Sequence, residues 1–374
     1  MKIIITVNTY YPFTDGVQSV TQYQAEGLIK LGHEVTVVTV MHEGMKKIEW
    51  HNGVKIIRYN IQTKHAFHLG DKSGYRSLII SLCKNSDVLI NVCTQTATTE
   101  VLFPILTKIN ITKILYMHGM HDFSWHQANL LYSIHKIWND IRWGWDYLVN
   151  GRYFKKYNKV IQLHKFDSAT LFFKKIYNID SLVVENAAED IFFKHSTNKD
   201  SDYILNVSNF DKRKNQELIL EAFYKSKQLN TKLVLVGSRK NKYTKYLEHL
   251  KHTLDEKYGN RQVDFLEKVP RKKIAELVQK SRLYLMGSKW EAFPIALVEA
   301  MAAGKPFIST DVGIVRYLPG GVTVKNTQEM AYWIDLFLDQ NQIADDYGKI
   351  GNKYATNNLT IKNKVELLET IIRK

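Results

Sequence analysis

Residues 287–313 read GSKWEAFPIALVEAMAAGKPFISTDVG, and this stretch decides the fold. The apolar run Leu283, Tyr284, Leu285, Met286 stops at Gly287, so a buried strand feeds a loop carrying Ser288, Lys289, Trp290 and Glu291. Pro294 stands where a helix can start, because its fixed φ suits a first turn that needs no backbone donor. Ile295 to Ala303 are good helix formers and Gly304 is a natural stop, which predicts a short, largely buried helix. Its free N–H groups, near Phe293 to Ala296, point back over the strand end. Such groups at the positive end of a helix dipole suit an anion such as a pyrophosphate.

Two carboxylates frame the turn, Glu291 before it and Glu299 inside the helix. A carboxylate only accepts hydrogen bonds, so each is fitted to hold sugar or ribose hydroxyls. A capping glutamate and a solvated one are the ordinary alternative. Against that, Glu299 is flanked by Val298, Ala300 and Met301, where an unpartnered charge would be costly.

With Glu291, seven residues, Glu299 and then AMAAGKPFISTDVG, the stretch resembles the retaining glycosyltransferases of the GT-B type, family 4, with their Glu-x7-Glu signature. The resemblance implies two Rossmann-like α/β domains facing a central cleft, with a C-terminal helix packing back on the first domain. It implies Glu291 beside the donor sugar and Glu299 on the nucleotide ribose. It also implies no metal and no other cofactor.

The length, 374 residues, suits two domains with a core each. A composition of 45% hydrophobic and 24% charged residues is that of a globular chain. Cys83 and Cys93 offer neither zinc spacing nor a disulfide framework. MKIIITV meets Asn8 too early for a signal peptide, and no apolar run reaches the roughly 18 residues of a spanning helix. A cytoplasmic chain is expected. The formal charge of +15 allows an anionic partner. Nucleic acid is disfavoured, since zinc-finger spacing and RNP-like aromatic strands are missing, and an anionic membrane surface fits better.

Ile3 to Val7 reads as a buried strand, followed by a loop with Asp15 and Gly16, a helix whose stripe is Val20, Tyr23, Gly27, Leu28 and Leu31, and a strand Glu34–Val40. Strand, glycine-bearing loop, helix, strand opens a Rossmann-like domain. In the resembled family this loop is two glycines wide and lets backbone approach the donor phosphate. Here Asp15 replaces the first and Gly16 keeps the second. Strands follow at Val54–Tyr59, Val88–Val92 and Ile111–Tyr116, and the polar segment Gln62–Ser77 reads as a loop, either a lid over an acceptor or a plain surface connection. His118 follows the Ile111–Tyr116 strand, where a histidine faces the crevice of an α/β sheet and donates to a substrate oxygen. The pair His121–Asp122 is its local rival, and only the resemblance favours His118, as the histidine near the donor sugar.

Residues 136–165 carry seven Lys or Arg against Asp140 and Asp146, interleaved with Trp138, Trp143, Trp145, Tyr147, Tyr153, Phe154 and Tyr157. That mixture belongs in a headgroup layer. Aromatics turned inward beneath a solvated basic face would read the same way.

The first domain is expected over residues 1–190, closing with strands Val160–Leu163 and Leu182–Val184. The second is expected over 191–374, with a final helix near 360–374 returning to the first. Asn186 matches the family's linking segment, whereas Glu185 and Ala187 depart from it. Asp200 and Asp202 in the polar 195–202 linker lack the strand context of a metal motif. Tyr203–Val207 opens the second domain and runs into Ser208, Asn209 and Lys214. Relatives carry Gly-Arg-Leu-x-x-x-Lys here, gripping the diphosphate with both cations. Lys214 occupies the lysine position, but Asn209 replaces the arginine, and an amide supplies no guanidinium fork. Lys212 or Arg213 could compensate.

The resemblance therefore implies sugar transfer from a nucleotide-diphosphate sugar to a glycan or lipid-linked hydroxyl, in the cytoplasm or at the inner face of the cell membrane. The expected donor set is Gly16, Asn209, Lys214, Phe293, Pro294, Ile295 and Glu299, and the catalytic set is His118, Glu291 and Lys214. The departures at Asp15, Ser208 and Asn209 keep a non-catalytic nucleotide- or glycan-binding protein open.

Overall fold

The computed structural model describes residues 1–13, 16–64, 67–121, 123, 130–194 and 202–374, with residues 130–133 and 135 as backbone alone. Two compact α/β units emerge: Met1–Glu185 with Lys364–Lys374, and Asn186–Asn363. The boundary expected after residue 190 thus lies after Glu185. Residues 186–190 join the second unit through their contacts. Asn186 bonds the Phe293 backbone, Ala188 bridges to Thr360, and Glu189 pairs with Arg271.

The strands of the first unit are β1 (Lys2–Thr6), β2 (Glu34–Val40), β3 (Ile48–His51), β4 (Val54–Tyr59), β5 (Ile61–Lys64), β6 (Phe67–Gly70), β7 (Val88–Val92), β8 (Thr112–Tyr116), β9 (Lys159–Gln162) and β10 (Leu182–Val183). Eight of them form one sheet in the order β10-β9-β8-β7-β1-β2-β4-β3, parallel except where β3 runs antiparallel along β4. Every residue of β7 is buried, as a central parallel strand covered on both faces requires. The helices are α1 (Gly16–Lys30), α2 (Lys72–Cys83), α3 (Ala97–Glu100), α4 (Leu130–Phe154) and α5 (Ser168–Tyr177). The segment read as a loop over 62–77 is instead the β5–β6 hairpin followed by the start of α2, whose N-cap Asp71 accepts from Gly74 N at 2.8 Å.

In the second unit β11 (Tyr203–Val207), β12 (Lys232–Gly237), β13 (Val263–Glu267), β14 (Leu283–Met286), β15 (Phe307–Thr310) and β16 (Gly321–Val324) form an all-parallel sheet in the order β13-β12-β11-β14-β15-β16. Around it lie α6 (Gln216–Lys225), α7 (Lys242–Tyr258), α8 (Arg271–Lys280), α9 (Ile295–Ala302), α10 (Thr327–Asp339) and α11 (Asn341–Asn358). The last helix, α12 (Ile361–Arg373), carries the residues that return to the first unit. There Val365 packs where only hydrogen stands on Gly27 of α1, a Cβ at that point lying 2.5 Å from the valine. Lys364 bonds Glu185 at 2.8 Å.

Candidate active site

Both sheets have the doubly wound topology in which strand order reverses beside the first strand, and ligands bind outside the carboxyl ends of the strands at that reversal. In the second unit the reversal lies between β11 and β14. The loops leaving these two strands are 208–215 and 287–294, the two segments that the sequence marks most strongly.

The structure brings their functional side chains together. The Lys214 ammonium donates to Glu291 Oε1, which also accepts from Ser288 Oγ at 2.8 Å. Glu291 is buried and Lys214 half-buried. Gly313 closes the loop from behind: its φ is +54°, and a Cβ there would lie 2.2 Å from the Glu291 carbonyl oxygen. Lys289 N donates to the Arg213 carbonyl at 2.7 Å, tying the loops edge to edge. Arg213 also stacks on Trp290, its guanidinium carbon 5.5 Å from the ring centre, so a guanidinium does stand on this loop although the family's own position holds Asn209. The Asn209 carbonyl is held by Gln216 Nε2 at 2.9 Å, and the residue is exposed.

Helix α9 begins one residue later than the sequence suggests. Pro294 is its N-cap, at φ −74° and ψ 110°, and Ile295 is its first helical residue. No side chain caps this end, which leaves its dipole and first amides facing the reversal point. The other end closes as expected, Gly304 N donating to Met301 O and Lys305 N to Ala300 O, both at 2.9 Å. Asn186 fixes the approach: its Nδ2 donates to the Phe293 carbonyl at 2.9 Å.

Glu299 is buried in α9 and its carboxylate accepts from Arg271 at the start of α8. The same guanidinium reaches Glu189 at 2.7 Å and lies 4.6 Å over the Phe192 ring. Burial pushes the Glu299 carboxyl above the usual range, and the Arg271 charge offsets part of that shift. Glu291 and Glu299 are thus both paired with cations rather than standing as open acceptors. Sequence reasoning missed Arg271 and Glu189. The one signal for them is that a glutamate among Val298, Ala300 and Met301 needs a cation from elsewhere in the chain.

In the first unit, His118 lies just beyond the carboxyl end of β8, stacked on Tyr116 at 4.9 Å between ring centres. Its Nε2 is shut off from solvent and has no hydrogen-bond partner among the described residues. Burial lowers its pKa to about 4, so the ring is neutral at pH 7 and is a donor or acceptor rather than a cation. Its rival His121 bonds Asp140 at 2.8 Å, while Asp122 lies outside the described residues. Gly16 is the first residue of α1 and Asp15 is outside the described residues. Among the described residues no group of three His, Cys, Asp or Glu could hold a metal ion. Asp200 is outside them.

Comparison with known proteins bears on the second unit first. Residues 187–354 match the family model of glycosyl transferases group 1. The second unit therefore carries a group 1 glycosyltransferase domain. An uncharacterized 42.6 kDa protein in the cps region of Klebsiella pneumoniae is 47% identical over 58 residues, 15% of this chain and 16% of that one. One subunit of the phosphatidylinositol N-acetylglucosaminyltransferase of Arabidopsis thaliana is 24% identical over 87% of this chain and 70% of its own. Among solved structures, Anabaena HepE in complex with UDP and glucose superimposes with a TM-score of 0.70 at 16% identity, covering 100% of this chain and 99% of HepE. The fold of the chain is GT-B.

Proposed function

We propose that the enzyme is a retaining glycosyltransferase that moves a hexosyl or N-acetylhexosaminyl group from a UDP- or GDP-sugar to a hydroxyl of a glycan or lipid-linked acceptor. The observation that carries this reading is the meeting of Lys214 and Glu291 at the strand reversal, beside the uncapped start of α9. Lys214 and the amides around Phe293 to Ile295 hold the diphosphate. In the second unit Glu291 holds the donor sugar and Glu299, steadied by Arg271, accepts from the ribose; in the first, the family resemblance assigns His118 a hydrogen bond to a sugar oxygen. The bond from the anomeric carbon to the diphosphate oxygen breaks while the acceptor oxygen bonds on the same face, and the acceptor proton passes to the leaving phosphate. No metal or other cofactor takes part.

UDP is the favoured nucleotide, because the HepE complex holds UDP. Synthesis of a bacterial-type surface polysaccharide or glycoconjugate is supported by the cps-region relative, and a lipid-linked acceptor by the phosphatidylinositol enzyme. Among the described residues no helix is long and apolar enough to cross a membrane. We place the protein at the inner face of the cell membrane, held peripherally through residues 136–165.

Thermal stabilisation with UDP, GDP, ADP and their sugars, with turnover measured alongside, tests the reading. Stabilisation by one nucleotide and release of that nucleotide in the presence of acceptor support it. A second reading, a non-catalytic nucleotide-binding protein, is favoured by the neutral, exposed Asn209, and it predicts stabilisation without turnover.

A further inference from the structure

Helix α4 is apolar on two faces. One face packs inward: Tyr147 and Phe154 are each 1% exposed, and the Tyr147 carbonyl accepts from Tyr177 Oη at 2.7 Å. The other is open, with Ile134, Trp138, Ile141, Trp145 and Leu148 between 55% and 69% exposed. These five follow one another in steps of three and four, which is one continuous stripe of a helix. A helix at the surface of a globular unit in water presents polar residues there.

The charge around the stripe is positive. Arg152, Lys155 and Lys156 are exposed at its C-terminal end, and Arg142 lies 4.0 Å over Trp143 beside it. Of the acids on the helix, Asp140 is taken up by Lys136 at 2.6 Å and His121 at 2.8 Å, and Asp146 accepts from Asn150 at 2.7 Å. On the β5–β6 hairpin, His68 turns inward to Glu100 at 2.7 Å and acts electrostatically on Asp146 of the helix. Strand alternation then turns Phe67, 72% exposed, and Leu69, 42% exposed, the opposite way, next to exposed Lys64.

We propose that the open face of α4, with Phe67 and Leu69 of the hairpin as a second contact, inserts into the headgroup layer of an anionic membrane. The proposal rests on the reading above that the enzyme works on a lipid-linked acceptor, and it names the surface that brings it there. Tryptophans two turns apart on one face, bordered by lysine and arginine, are what an interfacial helix presents to the boundary between headgroups and acyl chains. A purely basic patch would bind by charge alone, whereas this one carries large apolar side chains between the cations.

The test uses the full chain and vesicles of phosphatidylcholine and phosphatidylglycerol in equal parts, with and without brominated acyl chains. Insertion predicts a blue shift of tryptophan emission and its quenching by the brominated lipid. It also predicts a reduced bound fraction that persists at high salt, and a similarly weak one on phosphatidylcholine alone. Ile141→Ser with Leu148→Ser should weaken binding about tenfold or more, and Phe67→Ser several-fold. These side chains are exposed, so the variants keep the fold and the nucleotide-dependent thermal shift, which separates this test from that of the transferase reading. Absence of binding, or binding without quenching, overturns the proposal. So does a concentration-dependent dimer that the double variant abolishes, since the stripe would then be covered by a second copy. Unchanged affinity in Phe67→Ser removes the hairpin from the anchor.

Discussion

Lys214 and Glu291, 77 residues apart in sequence, form an ion pair at the point where the second sheet reverses its strand order. Each is the other's partner, so on the proposed reading a bound diphosphate draws the ammonium away from the carboxylate. Removing either residue therefore has opposite effects on binding. Lys214→Ala should weaken the nucleoside diphosphate about tenfold to a hundredfold, the worth of a charge-assisted hydrogen bond. Glu291→Ala frees the lysine, so the same nucleotide should bind as well or better while turnover drops about a hundredfold or more. Calorimetric titration beside a turnover assay reads both, and parallel loss of affinity in the two variants would contradict the arrangement.

The Arg271–Glu299 pair predicts a pH dependence. Arg271→Ala strips the buried carboxylate of its cation. Because the guanidinium is 43% exposed, the cost at pH 7 should be moderate, about 2 kcal/mol, less than for a fully buried pair. Burial already raises the Glu299 pKa, and the variant raises it further. A carboxyl whose folded pKa lies above its unfolded value binds more protons when folded. Its stability contribution is present below the unfolded pKa and is lost as pH rises through the folded one. The deficit of the variant should therefore shrink between neutral pH and about pH 5, as urea denaturation across that range would reveal. A deficit independent of pH would exclude Glu299 as its cause.

The doubly wound fold was legible because its strands are short apolar runs ending at glycine or polar residues, as at Leu283–Met286 before Gly287. The hairpin at 61–70 was not, since half its residues are polar and its exposed Phe67 and Leu69 imitate loop composition. Helix α11 lacks a clean apolar stripe for a different reason. Its Gly348 and Gly351 lie against backbone, a Cβ on Gly348 falling 2.3 Å from the Gly304 carbonyl oxygen, so small residues stand where a stripe would be. At the site, Lys214 and Glu291 could be named from spacing, but their pairing could not. The partner of Glu299 comes from the start of a different helix, and local pattern holds no trace of it. Tryptophans in 136–165 were ambiguous until the packing turned Trp138 and Trp145 outward and Tyr147 inward.

Gly313 supports Glu291 through the backbone alone. A methyl group there meets the Glu291 and Ala292 carbonyl oxygens at 2.2 and 2.6 Å, at a φ of +54° that side chains rarely adopt. Gly313→Ala should cost about 1 kcal/mol from the dihedral, with a further loss as the loop moves aside. Because the movement carries the Glu291 carboxylate, turnover should fall more steeply than affinity for the nucleotide. Denaturant midpoints, turnover and titration of the one variant decide it, and a stable variant with full turnover would show that the loop tolerates the shift.

His118 contributes to the acid limb of stability in the first unit. Its pKa falls from an ordinary 6.5 to about 4 because the ring is buried without a compensating anion. A histidine depressed in this way is neutral when folded and binds more protons when unfolded. Its contribution is complete above pH 6.5 and is withdrawn as pH falls towards 4, by up to roughly 3 kcal/mol. His118→Asn keeps a polar side chain that does not titrate, so it should flatten the loss of stability over that window. If His118 also donates to the donor sugar, the variant loses turnover at every pH while the acid limb of stability becomes shallower. Urea denaturation from about pH 4 to 7 with a parallel turnover series separates the two effects, and an unchanged acid limb in the variant would assign it to other groups.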